Sequence, residues 1–168
     1  MKIFSAAQIR QWDAYTIANE PVSSIDLMER AAGACFNWIT PNINQSKLFI
    51  FFCGPGNNGG DGLAIARMVH LAGYEVSVYL LGVGKRSEDF KTNLERITQL
   101  VTCKEIITAT DFPEIQTNAI IIDALFGSGL SRPLDGVAAA LVNYINESQK
   151  LVISIDIPSG LFVDAHAG

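Results

Sequence analysis

The sequence predicts an α/β fold in which a mainly parallel sheet is covered on both faces by helices. Continuous apolar runs at 48–53 and 119–122 suit strands buried on both faces. Strand-like runs alternate with stretches of helical period, the pattern of parallel β-α-β units. With 168 residues, 49% hydrophobic and 17% charged, the chain has apolar content for one substantial core and too little charge for disorder.

The elements follow in order. Residues 6–19 read as a helix, with Ile9, Trp12, Ile17 and Ala18 at near-helical spacing. Ser24 is placed to cap a second helix, in which Leu27, Met28, Ala31, Ala32 and Cys35 share a face, and Pro41 helps to stop it. The run 48–53 is the first strand. Residues 62–72 then read as a helix and 75–81 as a strand, and Ser87 opens a helix to about residue 100. A buried strand at 119–123, a helix at 136–146 and a strand at 151–156 complete the alternation, with right-handed crossovers. The two N-terminal helices precede this alternation and are expected on its flank or against a partner. No repeat, low-complexity segment or linker interrupts the chain, so 1–168 is expected to form a single domain.

Composition excludes several function classes. A net charge of −5 disfavours broad attraction to a nucleic-acid backbone. Cys35, Cys53 and Cys103 are odd in number and widely spaced, which predicts reduced structural residues rather than a disulfide framework or zinc ribbon. The N-terminus reaches polar residues too soon for a signal peptide, and the apolar runs fall far short of the ~20 residues of a membrane span. A cytoplasmic protein is expected. His70 and His166 have no companion ligands in spacing, His70 reads as structural and His166 as exposed, and no nucleophile-histidine set stands out.

The chemistry is expected where strands end, because open parallel sheets bind ligands beyond the carboxyl ends of their strands. Three strands run into polar, glycine-rich sequence: GPGNNGGDG at 54–62, DALFGSGLSRPL at 123–134 and DIPSG at 156–160. The first contains G-x-G-x-x-G at Gly54, Gly56 and Gly59, a weak signal alone. Its glycines permit close ligand approach, and the following helix start offers N–H groups to an anion. An ordinary dinucleotide fold also carries an acid at the end of its second strand. Here that strand ends Tyr79-Leu80-Leu81-Gly82, so a standard NAD-dependent oxidoreductase fits poorly. The plainer reading of this loop is a turn with Asp61 capping the helix.

In the second loop, glycine N–H groups and Arg132 suit phosphate oxygens, against the plainer reading of a surface turn. In the third, Asp156 ends a mostly apolar strand, where a carboxylate is costly unless paired or liganded, or else caps the Pro158-Ser159-Gly160 turn. Asn58, Asp123 and Ser159 come from three strand ends and offer hard oxygens with one formal charge. That set suits a hard cation, a monovalent one better than a divalent one.

At these three motifs, and at the helix carrying Leu27-Met28-Glu29, the sequence resembles the NAD(P)H-hydrate epimerase family (the YjeF N-terminal domain type) over essentially its whole length. The resemblance implies a three-layer α/β/α Rossmann-like fold with two extra N-terminal helices, usually in a homodimer. It implies interconversion of the R and S epimers of hydrated NADH and NADPH in nicotinamide-nucleotide repair. By the same resemblance Asn57, Asn58, Gly59, Gly60, Asp61, Gly127, Ser128, Gly129, Leu130, Ser131, Arg132, Pro133 and Asp156 contact substrate. Asn58, Asp123 and Ser159 match potassium-binding positions, and Asp156 is expected to move the proton as catalytic acid and base. The family domain runs further past the DIPSG loop, with strands and a lysine-containing segment that have no counterpart here. This predicts a domain incomplete at its C-terminal end, and a dehydratase domain or partner in a full-length protein. Two other readings compete: a non-catalytic dimerising and RNA-binding module of the same fold, which the acidic balance disfavours, and another nucleotide-binding enzyme.

Overall fold

A computed structural model describes residues 4–164 of the chain. Five parallel strands, β1 (Leu48–Cys53), β2 (Glu75–Leu81), β3 (Cys103–Ile106), β4 (Ala119–Ala124) and β5 (Val152–Ser154), form one sheet in the order β3-β2-β1-β4-β5. Helices α3 (Asn57–Leu71) and α4 (Glu88–Thr98) cover one face, and α5 (Gly136–Glu147) covers the other. This is the expected three-layer α/β/α arrangement, with α1 (Ala6–Asn19) and α2 (Ser24–Asn42) as the two extra N-terminal helices.

Strand alternation sorts the core. Phe49, Phe51 and Cys53 of β1 point toward α3, whereas Leu48, Ile50 and Phe52 point toward α5. All six residues of β1, and all six of β4, are buried, as a two-sided sheet demands. The connection after β1 leads through α3 to β2 on one side, and β4 leads through α5 to β5 on the other. The strand order therefore reverses between β1 and β4, and the loops leaving these two strands part to open a crevice.

Helix α2 lies on α3 and α4, on the flank of the alternating units. Its Glu29 carboxylate accepts from Arg67 of α3 at 2.6 Å to both oxygens and from Arg96 of α4 at 2.7 Å. Ser24 donates to Asp89 at 2.6 Å, and the fully buried Asn93 donates to the Gly60 carbonyl at 3.2 Å.

Several boundaries differ from expectation. Ser23 rather than Ser24 caps α2, accepting from the Asp26 N–H. The helix continues through Pro41 to Asn42, since a proline one residue from the end removes only one terminal hydrogen bond. Helix α3 begins five residues early, at Asn57, so Asp61 lies in its second turn and Gly56 occupies the cap position. Strand β3 was not expected: it is four residues long at the sheet edge, and its exposed Lys104 and Glu105 hide it from a search for apolar runs. Strand β5 stops at Ser154, two residues before Asp156. In α1 only Ala6 is buried, while Trp12 is 57% and Tyr15 66% exposed. Cys35, Cys53 and Cys103 are free thiols, and His70 sits in the last turn of α3; His166 lies outside the described residues.

Close packing of backbone explains two glycines of the first loop. A Cβ on Gly59 would fall inside the Gly54 carbonyl, and one on Gly60 would come within 2.9 Å of Met28 Sδ. By contrast Gly33, inside α2, faces open space. Gly59→Ala is therefore expected to lower the unfolding free energy by roughly 3 kcal/mol. Gly33→Ala should raise it by about 0.5–1 kcal/mol through helix propensity. Urea unfolding of both variants checks the contrast, and equal effects would contradict the packing account.

Candidate active site at the carboxyl edge of the sheet

The crevice between the β1 and β4 loops is a cavity of about 730 Å³. Its wall includes Asn57, Asn58 and Asp61 from α3, Leu125 to Arg132 from the β4 loop, and Asp156 from the β5 loop. All three glycine-rich segments thus meet at one place. Gly127 marks the tightest point: a Cβ there would overlap Asp156 Oδ2 and come within 3.3 Å of Asn58 Cγ. Only glycine lets the three loops close to this distance.

Asp123 forms the floor. It stands at the end of β4, 6% exposed, and its carboxylate is fully engaged. Oδ1 accepts from Ser159 Oγ at 2.6 Å and Leu125 N at 3.2 Å; Oδ2 accepts from Ser159 N at 2.9 Å and Ser154 Oγ at 3.2 Å. Ser159 Oγ also accepts from the Phe126 N–H at 2.9 Å. These bonds stitch the β4 and β5 loops together and satisfy a carboxylate that would otherwise be costly to bury.

Asp156 lies on the surface of this frame. It adopts φ +66, a left-handed backbone uncommon for a residue with a side chain, and it is exposed rather than buried at a strand end. Its Oδ2 accepts from the Ser128 N–H at 2.6 Å. The opposite pattern holds for Asn58. Both its amide oxygen and its amide nitrogen are buried and have no hydrogen-bond partner among the described residues. Buried side-chain amides are nearly always paired, so this one points to a missing ligand.

The donor chemistry suits a hard monovalent cation: Asn58 offers an unpartnered amide oxygen, and the buried Asp123–Ser159 cluster carries a single carboxylate. Among the described residues no group of three or more His, Cys, Asp or Glu side chains is placed for a metal ion. Asp123 and Ser159 underlie the cavity rather than line it.

Asp61 is the most perturbed acid in the wall. Burial first, and then the charges of Asp156, Asp13 and Asp89, push its carboxyl up to about 7. Cys35 also lines the cavity, where burial raises its thiol and keeps it inert.

Of the positions expected to touch substrate, Asn57, Asn58, Asp61, Gly127, Ser128, Gly129, Leu130, Ser131, Arg132 and Asp156 line the cavity. Gly59, Gly60 and Pro133 stand outside its wall, the two glycines being taken up by packing against the Gly54 main chain and the Met28 side chain. The plainer reading of Asp61 as a helix cap is set aside by the earlier start of α3. Sequence reasoning missed the contribution of α1 and α2, which bring Ile9, Arg10, Asp13 and Ala31 to the cavity, and of Lys85 after β2. These carry no motif; only the three-dimensional course of the N-terminal helices over the sheet edge reveals them.

Among the described residues no helix is long and apolar enough to cross a membrane. A crystal structure of yeast ynu0 has the same fold, with a TM-score of 0.80 and 24% identity over 98% of this chain and 73% of that one. The NAD(P)H-hydrate epimerase of Limosilactobacillus fermentum is 36% identical over 165 residues, 97% of this chain and 77% of that protein. The enzyme of the same name from Anaerococcus prevotii is 38% identical over 171 residues, 98% of this chain and 78% of its own. The bifunctional NAD(P)H-hydrate repair enzyme Nnr of Thermofilum pendens is 36% identical over 169 residues, which cover 98% of this chain and 32% of that larger protein. A family model described as YjeF-related protein N-terminus matches residues 24–168, and this chain belongs to that family.

Proposed function

We propose that this chain is an NAD(P)H-hydrate epimerase, interconverting the R and S epimers of hydrated NADH and NADPH. The observation that carries this reading is the convergence of Asn58, Gly127 and Asp156 at the narrow end of one cavity, in a chain whose relatives bear that name. The reaction needs little of the protein. The hydrate bears a hydroxyl on the ring carbon next to nitrogen. The nitrogen lone pair forms a C=N⁺ bond as the C–O bond breaks, and the leaving oxygen takes a proton to depart as water. Water then adds to either face of the planar cation, the C=N⁺ electrons return to nitrogen, and the added oxygen releases its proton.

Asp156 supplies the first proton and removes the second. Its exposure at the cavity wall gives it access to the reacting oxygen, and the Ser128 N–H holds its carboxylate in place. Asp61 keeps a proton near neutrality, so it offers a hydrogen-bond donor without a second negative charge. The helix start at Asn57 and the guanidinium of Arg132 suit the substrate's phosphates. Asn58, through its unpartnered amide oxygen, with Asp123 and Ser159 giving up part of their mutual hydrogen bonding, would hold a potassium ion, which would brace the loops and add positive field near the cavity floor. We further propose a homodimer in the cytoplasm, with a dehydratase domain or partner completing repair. The exposed Trp12, Tyr15 and Trp38 of α1 and α2 form the kind of surface that two copies bury.

Asp156→Asn is expected to lower epimerisation of purified R-hydrate by at least about 100-fold while circular dichroism stays native. Turnover close to wild type would remove Asp156 from the mechanism. Exchanging potassium for lithium in the same assay should slow wild type roughly tenfold; an unchanged rate would count against the ion.

Asp61 also gives a pH-dependent signature. Its native value of about 7 lies above the ordinary 3.8, so the folded chain holds a proton that the unfolded chain has released. Its stabilising contribution is complete below about pH 4 and is lost as pH rises to about 7. Asp61→Asn should therefore gain stability relative to wild type across that window and hold the gain above it. Denaturant titrations at several pH values measure the difference, and a pH-independent gap would refute the shift.

A further inference from the structure

The cavity contains a cation to which the chemistry above gives no task. Lys85 lines the same cavity as Asp156 but belongs to the loop after β2, on the opposite side of β1 from β4. That loop is fixed in place. The Ser87 N–H donates to the Pro55 carbonyl at 3.0 Å, and Gly84, at φ +103, lies so close to the Pro55 ring that a Cβ would approach Cγ to 2.8 Å. The neighbouring Arg86 is committed to Glu105, and its guanidinium carbon lies 5.4 Å from the Phe90 ring centroid. Lys85 enters no ion pair among the described residues.

Sheet order sets the spacing. Neighbouring strands lie about 4.8 Å apart, so the β2 and β5 ends are roughly 14 Å from each other across the carboxyl edge. An extended dinucleotide with its nicotinamide at Asp156 and its pyrophosphate near the α3 start would carry its adenosine ribose to the end of β2. In dinucleotide folds that is where the ribose 2′ position is read, by an acid for a free hydroxyl and by a cation for a 2′-phosphate. Strand β2 itself brings no acid there: it runs out as Leu80-Leu81-Gly82, and Lys85 follows. The one carboxylate beside Gly82, that of Glu105 on β3, is paired with Arg86.

Resting on the epimerase reading, we infer that Lys85 binds the adenosine 2′-phosphate and so favours NADPH hydrate over NADH hydrate. An ammonium group on the cavity wall pairs with the phosphate dianion, whereas the 2′-hydroxyl of NADH hydrate gives it no counter-charge.

Two measurements on the full chain test this. In wild type, kcat/KM should favour NADPH hydrate, and calorimetry should show adenosine 2′,5′-bisphosphate binding about tenfold more tightly than AMP. Lys85→Ala should reduce both preferences about tenfold, and Lys85→Arg should retain them. Preferences unchanged in Lys85→Ala, or both substrates weakened equally, would overturn the assignment. If wild type epimerises neither hydrate, the reading beneath it fails, and the nucleotide-binding ratio still decides whether Lys85 reads the 2′-phosphate.

Discussion

The Asp123 carboxylate, sealed at the end of β4, holds this end of the molecule together. A buried anion tolerates that position only if every lone pair is answered, and here Leu125, Ser154 and Ser159 answer with two backbone N–H groups and two hydroxyls. Those donors come from the loop after β4 and from the end of β5 with the loop that follows it. Satisfying one charge therefore fixes the position of 125–128 relative to 154–159. The strained backbone of Asp156 follows from it, because the loop is pinned at Ser154 and Ser159 on either side. Strain of this kind persists only where the surroundings over-determine it.

The glycines have two distinct purposes, which the motif alone does not separate. Gly127 admits two side chains from other loops to a single point of the cavity. Gly59 and Gly60 instead admit main chain and the Met28 side chain, letting α3 settle against the β1 loop and α2. Asn58 is exposed to the consequence. Helix α3 seats its amide in a buried position, where the neighbouring loops supply no donor or acceptor to it.

Much of this was legible in the sequence. The bounds of α1, β1 and β2 follow from periodicity and glycine boundaries, and the three strand-end motifs meet at the one cavity described above. Illegible parts have physical causes. Asparagine and glycine are poor helix formers, so the first turn of α3 looks like loop until tertiary contacts override propensity. Strand β3 owes its existence to pairing with β2 rather than to burial of its own side chains. Arg10, Asp13 and Lys85 are ordinary surface charges by composition, and chain topology alone brings them to the cavity.

One wall of the cavity comes from α1, a helix that buries Ala6 and little else. An element so lightly attached has a low free energy of local opening, far below that of the central strands. A ligand that touches Ile9 or Arg10 from within stabilises the docked helix by whatever that contact is worth. Helix docking and occupancy of the cavity are thus thermodynamically linked, each raising the other.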